Sequence, residues 1–297
     1  MTTSMTPNTN GSAPAGGGDA VETPVSLTID GQAVEVPAGA SVLDACTAAG
    51  VDTPTICYAE NLTPVNACRV CVVEMEGSRT LVPACSRPAE AGMEIQTDSE
   101  RVRHSRKMVL EFLATGVDLS QADDINTWIE AYGADPDRYG VDRARMDEPV
   151  RIEDDLYIRD YDKCVLCYKC VEACGDDAQH TYAIAVAGRG FDARIRTEFD
   201  AELPDSACVY CGNCVAVCPT NALQFKTEFD LREAAKWRPE EQTVTQTVCS
   251  YCGVGCNLEL HVQDEQIVKV TSPADHSVTS GHLCIKGRFG WGYVHGS

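Results

Sequence analysis

One cysteine pattern occurs twice between residues 164 and 218. The runs are "CVLCYKCVEAC" and "CVYCGNCVAVC", each C-x2-C-x2-C-x3-C. They supply Cys164, Cys167, Cys170 and Cys174, then Cys208, Cys211, Cys214 and Cys218. Three thiols two residues apart lie on one tight loop, where they can share a metal centre. Thiolate is a soft ligand that suits iron–sulfur clusters and zinc. Whatever else this chain folds into, it must bring two such loops to metal.

The compartment decides whether so many thiols mean metal or disulfides. The chain has 17 cysteines in 297 residues. The opening stretch, MTTSMTPNTNGSAPAGGGDA, has no basic residue, no apolar core segment and no twin arginine, so it does not read as a secretion signal. No apolar run approaches the ~20 residues of a membrane helix. These features predict a cytoplasmic protein whose thiols hold metal. Formal net charge is −21. That charge fits a solvated acidic surface, an acidic docking face for a redox partner, or adaptation to high salt. It disfavours nucleic-acid binding, which needs a basic footprint.

Residues 1–22 are poor in anything to bury and read as a disordered tail. In 23–98, Val25, Leu27 and Ile29 alternate, Asp30-Gly31 supplies a hairpin turn, and Val34 and Val36 continue on a second strand. Ser41 then caps a short helix with Leu43, Cys46 and Ala49 on one face. Strand, hairpin, strand and helix open a β-grasp domain. Residues 99–155 read as a helical connector. It begins with an amphipathic helix over 99–116 (Val102, Met108, Val109, Phe112, Leu113) and carries a second stripe of Ile125, Trp128, Ile129 and Tyr132. The doubled pattern occupies 156–235. A polar bridge around 228–243 precedes a last segment, 243–297, in which "LELHVQDEQIVKVTS" reads as a β-hairpin.

Two further cysteine sets complete the inventory. Cys57, Cys68, Cys71 and Cys85 are spaced C-x10-C-x2-C-x13-C, and four cysteines suit a [2Fe–2S] centre, with a structural zinc site as the alternative. Cys249, Cys252, Cys256 and Cys284 are spaced C-x2-C-x3-C-x27-C, with Lys286 two residues beyond. Four sets of four leave only Cys46, expected as a small buried core residue.

The repeated run resembles that of bacterial two-cluster ferredoxins, whose fourth cysteine ligates the other cluster. The resemblance implies one [4Fe–4S] centre on Cys164, Cys167, Cys170 and Cys218, and a second on Cys208, Cys211, Cys214 and Cys174. Two departures stand out: Gly175 replaces the proline of the ferredoxin run, and a 33-residue insertion separates the runs. The stretch "CRVCVVEMEG" with "LVPACSRPA" is similar to the [2Fe–2S] domain of the complex I large iron–sulfur subunit, [FeFe]-hydrogenases and NAD-dependent formate dehydrogenases. "CSYCGVGC" with "LCIKG" looks like the [4Fe–4S] domain of molybdopterin oxidoreductases, in which Lys286 would lie between cluster and pterin. The implied fold is α+β and multidomain: β-grasp ferredoxin, helical connector, two-cluster ferredoxin and a small β-rich cluster domain.

The order of domains resembles the N-terminal half of the alpha subunit of cytoplasmic NAD-dependent molybdopterin formate dehydrogenases. Many relatives add a cluster held by one histidine and three cysteines. His104 sits at a similar place, but no cysteine occurs between Cys85 and Cys164, so His104 is expected to be an ordinary helix residue. The resemblance implies one [2Fe–2S] and three [4Fe–4S] clusters, with no complete pterin, flavin or NAD site. No residue is nominated as catalytic. The expected role is an electron-transfer subunit of a split enzyme, between a molybdenum or tungsten bis-pterin catalytic subunit and a flavin/NAD diaphorase. A truncated product, an electron carrier for another molybdopterin oxidoreductase, hydrogenase or complex I-like assembly, and a stand-alone polyferredoxin remain alternatives.

Overall fold

The computed structural model describes residues 23–140 and 148–295, so the tail over 1–22 lies outside the described residues. The chain forms two compact units. One comprises residues 23–58, 63–116 and 123–140, the other 59–62, 117–122 and 148–295.

In the first unit, β1 (Val25–Ile29) and β2 (Gln32–Val36) form the expected hairpin. Asp30 (φ 48°) and Gly31 (φ 83°) are both left-handed, as a two-residue turn matching strand twist requires. Leu27, Ile29, Val34 and Val36 are buried, while Ser26 and Glu35 face out. Helix α1 (Val42–Ala48) begins at a reciprocal cap: Asp44 N donates to Ser41 Oγ, and the Asp44 carboxylate accepts from Ser41 N at 2.7 Å. β3 (Val72–Met75), β4 (Val82–Pro83) and β5 (Glu94–Gln96) complete a sheet of order β2-β1-β5-β3-β4. Only the β1–β5 pair is parallel. The core beneath includes Leu27, Ile29, Val42, Val73 and Ile95.

Helices α2 (Glu100–Gly116) and α3 (Asp123–Tyr132) belong to the same unit. The buried face of α2 differs from the expected stripe. Val102, Arg106, Leu110, Glu111 and Ala114 are buried, Met108, Val109 and Leu113 are half-buried, and Phe112 is exposed, stacked on Tyr139. Arg106 is held inside by two of its nitrogens, Nη2 donating to Val72 O (3.0 Å) and Nη1 to Tyr132 Oη (2.6 Å), while Nε is left without a partner. Glu111 accepts from Arg138 at 2.9 Å. His104 is an exposed residue of α2.

In the second unit, β6 (Tyr157–Arg159) pairs antiparallel with β9 (Leu223–Phe225), bringing the outer ends of the repeat together. Each repeat carries one short helix, α4 (Lys169–Cys174) or α5 (Asn213–Ala216). The insertion folds a small ribbon of β7 (Ala185–Ala187) and β8 (Arg194–Arg196). The polar bridge opens in helix α6 (Lys226–Glu233), anchored by buried Glu228, which pairs with Arg232 and Lys269. β10 (Thr243–Val248), β11 (Asn257–Gln263) and β12 (Gln266–Thr271) form an antiparallel sheet in that order. The expected hairpin is β11–β12, and Cys284 opens the last helix, α7 (Ile285–Phe289).

Candidate metal centres

In the first unit the four cysteines sit where loops meet the sheet. Cys71 directly precedes β3, and Cys85 follows β4 by one residue. Ala84 N donates to Cys71 O across them at 3.3 Å. Arg69 (φ 62°) and Asn66 (φ 60°) bend the preceding loop back on itself. The thiols pair two by two: Cys71 Sγ and Cys85 Sγ are 3.4 Å apart, and Cys68 N donates to Cys57 Sγ at 3.4 Å. Hydrogen bonding within each pair shifts the two thiols apart. Cys57 is held down by its hydrogen bond with Cys68, and Cys71 by its hydrogen bond with Cys85, while Cys68 and Cys85 are pushed up. Two pairs of thiols suit a two-iron cluster that takes two thiolates on each iron. Cys46 is fully buried in the sheet core, outside this group, and burial raises its thiol.

In the second unit two hollows are ringed by thiols. One is lined by Cys164, Cys167, Cys170 and Cys218, with Tyr161, Ile195 and Leu223. The other is lined by Cys174, Cys208, Cys211 and Cys214, with Tyr157, Ile184 and Leu203. Each hollow thus takes three cysteines from one run and the last from the other. Among the described residues, no three Cys, His, Asp or Glu side chains converge closely enough to hold a single ion. The spread around a hollow instead suits a cluster offering several irons to separate thiolates.

The two loops share a backbone pattern. The second and fourth residues after the first cysteine are left-handed in both: Leu166 (φ 51°) and Tyr168 (φ 64°), then Tyr210 (φ 55°) and Gly212 (φ 70°). These turns direct amides at sulfur, and Tyr210 N donates to Cys208 Sγ at 3.4 Å. The last cysteines of the runs are served likewise. Cys174 Sγ accepts from Ala183 N at 3.2 Å, and Cys218 Sγ from Leu223 N at 3.5 Å. Tyr157 Oη lies 3.0 Å from Cys208 Sγ in a hydrogen bond; burial first, then the nearby Cys214 and Cys208, push the phenol up, so it keeps its proton. Cys170 and Cys214 are pushed well up by burial, so metal must displace their protons on binding.

Gly175, the departure from the ferredoxin run, has a local reason. Its N–H donates to Val171 O at 2.8 Å, ending α4, and proline lacks that donor. A Cβ there would lie 3.1 Å from Val171 O and 3.2 Å from the Tyr182 ring.

The last set is more open. Cys249 is buried and Cys256 half-buried, but Cys252, Cys284 and Lys286 are exposed. Cys249 N donates to Cys256 O at 2.8 Å, closing the loop. Arg288, one turn after Cys284, is fully buried, and no motif in the sequence marks it. The tyrosine-to-glycine difference between "CYKC" and "CGNC" was the available signal. A Cβ at Gly212 would lie 2.5 Å from Arg288 Cδ and 2.8 Å from Phe289 Cζ.

Comparison with known proteins gives these loops their chemistry. Residues 22–100 match the 2Fe-2S iron-sulfur cluster binding domain, 163–222 the 4Fe-4S dicluster domain, and 242–296 the molybdopterin oxidoreductase Fe4S4 domain. Three iron–sulfur domains follow one another along the chain. The chain is 35% identical, over 91% of its length, to the NADPH-Fe(3+) oxidoreductase subunit alpha of Geobacter sulfurreducens. It is 33% identical, over 91%, to an NADH-quinone oxidoreductase subunit of Rhizobium meliloti, and 28% identical, over 91%, to a candidate formate dehydrogenase of Staphylococcus haemolyticus. It spans about a third of the length of these relatives, 32%, 31% and 31% respectively. A chain of a crystallised NAD+-reducing [NiFe]-hydrogenase matches with a TM-score of 0.60 and 26% identity, covering 68% of this chain and 87% of that one. Among the described residues no helix is long and apolar enough to cross a membrane.

Proposed function

We propose that this chain is the iron–sulfur conduit of a cytoplasmic formate dehydrogenase-type complex, carrying electrons between a molybdenum- or tungsten-pterin catalytic partner and a flavin/NAD diaphorase partner. The observation that carries it is the succession of a β-grasp [2Fe–2S] module, two ferredoxin-type hollows with crossed cysteine rings, and a cluster loop of molybdopterin-oxidoreductase type. Bound there, the clusters supply one-electron relays. The chain's residues hold and tune them. Cys57 with Cys68, and Cys71 with Cys85, would grip the two irons of the [2Fe–2S] centre. Cys164, Cys167, Cys170 and Cys218 would hold one [4Fe–4S] cluster, and Cys208, Cys211, Cys214 and Cys174 the next. Cys249, Cys252, Cys256 and Cys284 would hold the last.

The exposure of Cys252, Cys284 and Lys286 gives the last set an open face on its own unit. On this reading that face meets the pterin-bearing partner, with Lys286 between cluster and pterin, and the [2Fe–2S] module serves the flavin side. The relatives also include an NADP-reducing hydrogenase subunit at 35% identity over 75% of this chain, so the same conduit could serve a different catalytic partner.

Formate decides between these. The native complex is isolated without oxygen, formate is added, and cluster absorbance and EPR are followed while iron, molybdenum, tungsten and flavin are quantified. The expected result is rapid reduction of the clusters, one electron each, in a complex that bears molybdenum or tungsten and holds about 14 iron per copy of this chain, the sum for one two-iron and three four-iron clusters. Clusters that stay oxidised in formate, with neither metal present, would remove the formate dehydrogenase assignment and leave a conduit for another enzyme.

A further inference from the structure

We propose that Arg288 is a charged tie between two clusters: its guanidinium holds the Cys208–Cys218 loop and the Cys249/Cys284 module in register, and its charge favours the reduced state of both. This role rests on the cluster ligand sets of the proposed function.

Arg288 is 0% exposed. Nε donates to Cys211 O at 3.0 Å, and Nη2 to Asn213 Oδ1 at 2.9 Å, both in the second ferredoxin-type loop. Nη1 reaches Val270 O of β12 at 3.5 Å, and Nη2 reaches Gly281 O at 3.4 Å, on the segment that leads to Cys284. Asn213 Oδ1 accepts a second bond, from Leu283 N at 3.0 Å, one residue before Cys284. The helix that carries the arginine is hung from the same cysteine, since Arg288 N donates to Cys284 O at 3.0 Å. One guanidinium fork therefore spans the ligand loops of two centres.

All four acceptors are neutral, and among the described residues no carboxylate forms an ion pair with Arg288. A buried cation without a counter-charge is costly. Burial opposes the charge and the nearby thiols of Cys211, Cys214 and Cys284 support it, and a guanidinium stays protonated in proteins. Thiolate-ligated clusters supply the missing negative charge, and each gains one more on reduction. A fixed cation between them stabilises the reduced form of each. The neighbouring glycine belongs to the same arrangement. Tyr168 and Gly212 occupy equivalent left-handed positions, but only at 212 does an arginine stem fill the space above the Cα.

The test uses the full chain, loaded with iron and sulfide without oxygen, as wild type, Arg288→Lys and Arg288→Met. Midpoints are read by EPR-monitored redox titration. In Arg288→Met the two flanking clusters should become about tenfold harder to reduce, about 59 mV for a one-electron couple. The cluster on Cys164, Cys167, Cys170 and Cys218 should move less. Arg288→Lys keeps the charge and should stay within about threefold of wild type. Full loading of Arg288→Met with unmoved midpoints would overturn the proposal. Should that variant fail to load, the lysine variant decides alone. Loaded clusters with wild-type midpoints support the charged tie; displaced midpoints or failed loading overturn it. Iron content and EPR signals of the wild type test the ligand sets separately, so a failure there falls on the functional reading and not on Arg288.

Discussion

Leu27, Ile29, Val42, Val73 and Ile95 pack beneath the five-stranded sheet of the first unit, and Cys57 and Cys68 hang from a loop beside them. The second unit is built differently. Its central cluster of Tyr157, Tyr161, Ile184, Val215 and Phe225 includes Cys170, with Cys164, Cys174, Cys208, Cys214 and Cys218 packed against it. Helices α4 and α5 are only 6 and 4 residues long, well below the length at which a helix is stable on its own. The contrast teaches where metal enters the folding free energy. One unit stands on an extensive apolar core that Cys71 and Cys85 join, whereas in the other six thiols make up much of the packing around a smaller apolar cluster.

The largest test of this contrast is removal of iron from the loaded full chain by a chelator under reducing conditions. Amide exchange should then reach α4 and α5 while β1, β2 and α1 keep their protection. Equal loss in both units would break the comparison. A sharper probe concerns the crossed rings. The double variant Cys164→Ala, Cys218→Ala should cost one cluster, about four iron; ligation confined within each run would cost two clusters, about eight. Metal analysis separates these outcomes. The smallest effect sharpens the difference between the two loops themselves. Gly212→Ala should destabilise the loaded chain by about 2 kcal/mol, from left-handed strain and the collision with Arg288. Thermal unfolding measures it, and a loss below about 0.5 kcal/mol would mean that the glycine answers to neither.

The first hairpin and its helix were readable from residues 25–48 because alternation, Asp30-Gly31 and the Ser41 cap all point the same way. The cysteine spacing likewise marked four groups of thiols before any geometry was known. Other features were hidden for identifiable reasons. β5 pairs in parallel with β1 although β2, α1, β3 and β4 lie between them in the chain, a partnership that leaves no local signature in "EIQ". β10 is a strand with all six residues exposed, so no burial rhythm marks it. On α2 the hydrophobic pattern pointed to Met108, Val109 and Phe112, whereas the buried face includes Arg106 and Glu111. Burial of a charge depends on distant acceptors such as Val72 O and on partners such as Arg138, which periodicity does not encode. Arg288 was hidden for the same reason.

Crossed rings also set a schedule. Because each hollow in the second unit draws its last thiol from the other run, neither can be closed by the stretch that supplies its first three. A growing chain that has emerged only as far as Cys174 presents three thiols for one hollow and one for the other, and completes nothing. Completion waits for Cys218, and both hollows then become whole almost together. On the proposed ligand sets, no cluster can be closed in either hollow until Cys214 has been made, and both can be closed only after Cys218.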